Sequence, residues 1–225
     1  MKTAEILLYL QRNGMTVFTT GDVAKTIRKP IGYTRTIMPR IPGIKMAERG
    51  LYYTEQANIY EIASNIVPFS YVSMLSALRF YDIITQMPRI ISVVSPKKHR
   101  IMEIENHKIV FVLLKRSAIF GHVRRGNAFI AEPEKAILDS LYHNEYAYID
   151  EAFERGIREE LVSTDKLINY ARRFGKKSLM NKLGFFLEHY AGICKTELLG
   201  DISKKQVNLI PNAGNYDKKW RIHYG

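Results

Sequence analysis

A single cysteine, Cys194, stands in 225 residues, so no intrachain disulfide can form. That scarcity fits a reducing, cytoplasmic compartment. Long apolar runs are missing too. The longest, IVFVLL at 109–114 and GFFL at 184–187, fall far short of the ~18 residues a membrane-spanning helix needs, and no membrane partner is expected. The opening MKTAEILLYLQRNG carries Glu5 beside a short apolar run and reads as an amphipathic helix, not as a signal peptide. No two of the six histidines lie four residues apart and no second cysteine exists, so no metal site is indicated. The glycine patterns of phosphate-cradling loops, dinucleotide folds and hydrolase nucleophile elbows are all missing, and no cofactor is expected. Repeats and low-complexity segments are missing as well. Acidic residues are scarce: 22 against 34 lysines and arginines, a net charge of +12 and a pI near 9.7. Such an excess favours polyanions, nucleic acid first and an anionic membrane surface second.

What is present fits a folded chain: 46% hydrophobic and 25% charged residues in 26.0 kDa, enough for one large or two modest domains. Ile6, Leu7 and Leu10 stripe a first helix ending at Asn13-Gly14. Val17 and Phe18 follow as a brief extended piece. Thr20 is then the expected N-cap of a helix from Gly21 to about Arg28, with Val23, Ala24 and Ile27 buried. KPIG makes a turn, and a third helix is expected over about Ile31 to Met38. Ile37 faces inward there, and Tyr33 faces either inward or out. Pro39 should end or kink that helix. IKMAERGLYYT reads as strand, turn and strand, a hairpin.

This order, helix, turn, helix and hairpin, predicts a winged helix-turn-helix over residues 1–54. The turn is longer than usual, because no glycine follows closely on Ala24. The charge is lopsided: Lys2, Arg12, Lys25, Arg28, Lys29, Arg35, Arg40, Lys45 and Arg49 against Glu5, Asp22 and Glu48, a surplus of six. The third helix would enter the major groove of duplex DNA while the second crosses the backbone. Arg35 could pair with guanine O6 and N7, and Thr34 could meet a phosphate or a thymine methyl. Lys25, Arg28 and Lys45 suit phosphates, Arg49 at the wing tip suits the minor groove or its backbone, and Lys29, Tyr33 and Arg40 complete the exposed set. The plainer alternative is a small helical unit whose hairpin contacts protein.

Residues 55–225 read as a larger domain with a small sheet and several helices, giving an α+β chain overall. A helix is expected over 55–66 and another from Ser70, as its cap, through Ile83. Strands are expected over 89–95, 108–115 and 127–131, and helices over about 132–143, 148–161, 163–174 and 177–190. A strand, a turn and a basic aromatic tail close the chain. KKHR (97–100) and HVRRG (122–126) read as basic loops able to extend a DNA surface. Glu132, Glu134, Lys135 and Asp139 superficially resemble a nuclease cluster, but their spacing fits helix capping better.

Taken in order, FTTGDVAK, RGLYY, SYVSMLSALRFYDIITQMP, PEKAILDSLY and LGFFLE resemble the AbiEi family of antitoxins, from type IV abortive-infection toxin–antitoxin systems. The likeness covers most of the chain. It rests on SALxxY (Ser76 to Tyr81), EKAxLD (Glu134 to Asp139) and RGxY (Arg49 to Tyr52). It implies an N-terminal winged helix-turn-helix that binds promoter repeats, as a homodimer in one arrangement, and represses its own operon. It further implies antitoxin activity in the C-terminal domain against a nucleotidyltransferase-like toxin, without a stable complex. A stand-alone regulator lacking a toxin is the alternative. No short motif assigns antitoxin residues.

Overall fold

Tyr52 points one way from its strand while Leu51 and Tyr53 point the other, and this alternation organises the N-terminal end of the molecule. The computed structural model describes residues 3–87 and 89–225, and of residues 3 and 4 the backbone alone. Helix α1 (Thr3–Arg12) is followed by strand β1 (Val17–Thr19), helices α2 (Thr20–Ile27) and α3 (Ile31–Ile37), a 3-10 turn over Met38–Arg40, and strands β2 (Ile44–Glu48) and β3 (Leu51–Thr54). β3 lies between β1 and β2, antiparallel to both. Ile6, Leu10, Phe18, Val23, Met38, Ile41 and Tyr52 form a small apolar cluster on one face of this sheet. Leu51 and Tyr53 join the large core on the other.

That large core surrounds a six-stranded sheet, wider than the small sheet expected. After α4 (Ile59–Ile66) come β4 (Tyr71–Val72), α5 (Met74–Phe80), β5 (Ile90–Ser95), β6 (Met102–Ile104), β7 (His107–Leu113), β8 (His122–Arg125) and β9 (Ala128–Ala131), in the order β6-β7-β5-β4-β9-β8. β5 runs parallel to β7 along its whole length, and β4 parallel to β9. The helix expected from Ser70 is therefore corrected. Tyr71 and Val72, both fully buried, serve as a central strand, and α5 starts only after Ser73. Ser70 caps nothing; its hydroxyl donates back to the Ser64 and Val67 carbonyls at the end of α4. β6 was not expected, and HVRRG, expected as a loop, is mostly strand β8.

Helices α6 (Pro133–His143), α7 (Ile149–Arg158), α8 (Thr164–Phe174) and α9 (Lys177–Ala191) pack together beside the sheet. Short strands β10 (Val207–Asn208), β11 (Asn215–Asp217) and β12 (Ile222–Tyr224) close the chain. Trp220, fully buried, seats its ring where a Cβ on Gly184 would stand, 2.1 Å away, so α9 needs glycine at that point. Among the described residues no helix is long and apolar enough to cross a membrane.

The N-terminal unit is fastened at both edges of its sheet. On the β1 side Asn127 donates to the Gly14 carbonyl (2.6 Å) and to Thr16 Oγ1 (2.9 Å). Thr16 donates to Glu61 (2.8 Å). On the β2 side Lys45 pairs with Glu105 (2.9 Å), and His99 Nε2 lies 3.1 Å from Glu48.

Candidate nucleic-acid interface

The N-cap of α2 is Thr19, one residue before the expected Thr20. Asp22 sits three residues after Thr19, so the two close a reciprocal capping box: the Thr19 N–H donates to the Asp22 carboxylate (2.8 Å) and the Asp22 N–H to Thr19 Oγ1 (3.2 Å). That carboxylate is thereby turned towards the helix end. The turn that follows solves its missing glycine with Arg28, which adopts the left-handed conformation at φ 53°. The Lys29 N–H donates to the Ala24 carbonyl (3.1 Å), and Pro30 opens α3. A left-handed arginine costs roughly 1 kcal/mol relative to glycine.

α3 buries one narrow stripe. Thr34 is fully buried and donates its hydroxyl to the Pro30 carbonyl (3.1 Å), one turn back, and Met38 lies below it. The expected Thr34 contact with DNA is therefore corrected: this threonine faces the core. The opposite side is open. Tyr33 is 51% and Ile31 53% exposed, and Gly32, Arg35 and Thr36 are exposed beside them. α3 ends at Ile37, and Pro39 sits in the 3-10 turn that carries exposed Arg40.

The hairpin β2–β3 bulges between Met46 and Glu48 and turns at Arg49-Gly50, with Gly50 at φ 90°. Arg49 at the tip is exposed, as is Met46. Lys45 departs from its expected free role, because it pairs with Glu105, which also accepts from the Tyr53 hydroxyl (3.0 Å). The Lys45 ammonium and the Tyr53 hydroxyl hold the Glu105 carboxyl below the usual range, and Glu105 raises Lys45 in turn. A phosphate would have to displace that carboxylate. Lys25, Arg28, Lys29, Arg35, Arg40 and Arg49 make no ion pair among the described residues. Residues 20–54 thus set seven cations against two acids, Asp22 and Glu48, both engaged.

No protein family matches the chain, and no curated protein matches it in sequence. The likeness found is one of fold. A crystal structure of the RV2827C protein from Mycobacterium tuberculosis superimposes with a TM-score of 0.59, covering 97% of this chain and 89% of that one at 12% identity. At that identity the match speaks for the architecture alone. It spans both the N-terminal unit and the six-stranded sheet.

The acidic residues of α6 do not line an open site. Lys135 and Asp139 are completely buried and ion-paired one helical turn apart. Asp139 also accepts from Ser73 (2.7 Å) and Tyr71 (3.1 Å), and the rings of Tyr71, Phe120 and Phe174 surround the ammonium. Burial pushes the Lys135 ammonium below its usual range, opposed by Asp139. Glu134 is 4% exposed and accepts from the Ser163 N–H (2.9 Å). Glu132 binds Lys166 (2.8 Å) and Tyr170 (2.6 Å). The EKAxLD residues hold helices and sheet together. Among the described residues no group of three or more His, Cys, Asp or Glu side chains is arranged to hold a metal ion.

Proposed function

We propose that residues 1–54 act as a winged helix-turn-helix and that the protein is a sequence-specific DNA-binding repressor, with residues 55–225 as a second domain. The observation that carries this reading is the set of free cations Arg28, Lys29, Arg35, Arg40 and Arg49 on and around α3 and the hairpin tip. These cations are exposed and free of ion pairs, while the two acids of residues 20–54, Asp22 and Glu48, are spent on a helix cap and on His99. In this reading α3 enters the major groove. Arg35 and Tyr33 meet base edges, Lys25, Arg28, Lys29 and Arg40 grip phosphates, and Arg49 reaches the flanking groove. Repression follows from occupancy of a promoter. The AbiEi resemblance extends the proposal: the chain represses its own operon as the antitoxin of a type IV pair and counteracts a nucleotidyltransferase-like toxin without a stable complex.

Gel shifts on fragments of the promoter upstream of the chain's own reading frame test this reading. One fragment should bind preferentially, and Arg35→Ala should reduce that preference by roughly 1–3 kcal/mol. Lys25→Ala should weaken all fragments alike. Equal binding to every fragment would sink the proposal.

A further inference from the structure

We infer that the loop of residues 96–101 in the second unit is part of the DNA-binding surface, extending the wing's grip onto the neighbouring phosphates of the duplex. This rests on the DNA-binding reading above. The loop is seated on the wing: His99 Nε2 lies 3.1 Å from Glu48, next to the wing-tip residues Arg49 and Gly50. It is also firm. The Ser95 hydroxyl donates to the Lys97 carbonyl (2.8 Å) and accepts from the Lys97 N–H (3.2 Å), and the His99 ring packs on Phe111 at 4.5 Å. Lys97, Lys98 and Arg100, all within two residues of that anchor, are exposed and make no ion pair among the described residues. The contact that holds the loop also draws the one acid of the hairpin, Glu48, away from a polyanion.

The second basic segment provides the contrast. Arg124 donates to the Gly126 carbonyl (2.9 Å) and to Asn127 Oδ1 (3.0 Å). Asn127 ties this hairpin to Gly14 and Thr16, at the β1 edge, which β3 separates from the wing strand β2. Arg124 is occupied, and the hairpin that carries both arginines lies on the wrong side.

The test is a salt series, 50 to 200 mM, of fluorescence anisotropy on a 30-base-pair mixed-sequence duplex with the full chain. Each phosphate contact contributes a slope of about 0.9 in log K against log salt. The variant Lys97→Ala/Lys98→Ala/Arg100→Ala should flatten the slope by about 2–3, with its thermal midpoint unchanged. Arg124→Ala/Arg125→Ala should leave the slope as in the wild type. A triple variant with the wild-type slope overturns the inference, as does an equal loss in both variants, which would report net charge and not placement. A wild type that binds no duplex overturns the DNA-binding reading itself.

Discussion

Lysine and arginine do opposite work at the two ends of this molecule. From α2 to the tip of the hairpin all of them but Lys45 stand in solvent without ion-pair partners, and their charge is available to something outside. In α6 and α9 they are spent inside. Lys135 is buried against Asp139, and Lys182, 6% exposed, donates to the Leu141 carbonyl (2.7 Å) and Asn144 Oδ1 (2.6 Å), closing the end of α6. The same residue type therefore argues for a ligand in one region and for a fold in the other. Only partners and burial tell the two apart, which net charge does not.

Three substitutions sharpen this contrast. Asp139→Ala strands a buried ammonium and leaves Tyr71 and Ser73 without their acceptor. It should lower stability by about 3–5 kcal/mol in urea melts, yet leave duplex binding intact where the variant is still folded. Lys182 is next. Burial brings it down to about 8. Below that value the folded chain carries a charge it disfavours, and above it the folded state sheds a proton that the unfolded chain keeps up to ~10.4. Stability from this group must therefore rise between pH 8 and 10, by about 2 kcal/mol relative to Lys182→Met. Buried tyrosines such as Tyr146 and Tyr71, whose pKa values are raised by burial, reverse the trend above pH 10. A Lys182→Met profile parallel to the wild type would show the group to be solvated. Smallest is Arg28→Gly. It should raise stability by up to about 1 kcal/mol by relieving the left-handed turn, while flattening the salt slope of DNA binding by about 0.9. A gain in stability with no change in slope would mark Arg28 as a turn residue alone.

Local signals were legible in the sequence. The helix pair broken at RKPIG, the hairpin over IKMAERGLYYT and the open face of Arg35 all follow from short-range rules. The choice of Thr19 over Thr20 as cap follows one too, because Asp22 lies at the capping-box distance from Thr19 alone. Thr34 was misread because a seven-residue helix buries only a stripe, and Met38 one turn later fixes which stripe. Tyr71-Val72 was read as helix because two residues carry no periodicity; strands β5 and β9, distant in sequence, make it a strand. The links from Lys45 to Glu105 and from Glu48 to His99 span 60 and 51 residues, and no local pattern announces them. The burial of the EKAxLD pair, Lys135 with Asp139, was hidden from the sequence for the same reason.

Hydrogen exchange of the full chain, with and without promoter duplex, bears most directly on the outward-facing cations. Slowed exchange in residues 28–40 and 44–51, with α6 to α9 unchanged, is the predicted result. Unchanged exchange over α3 and the hairpin in the presence of saturating duplex, or protection elsewhere alone, would contradict it.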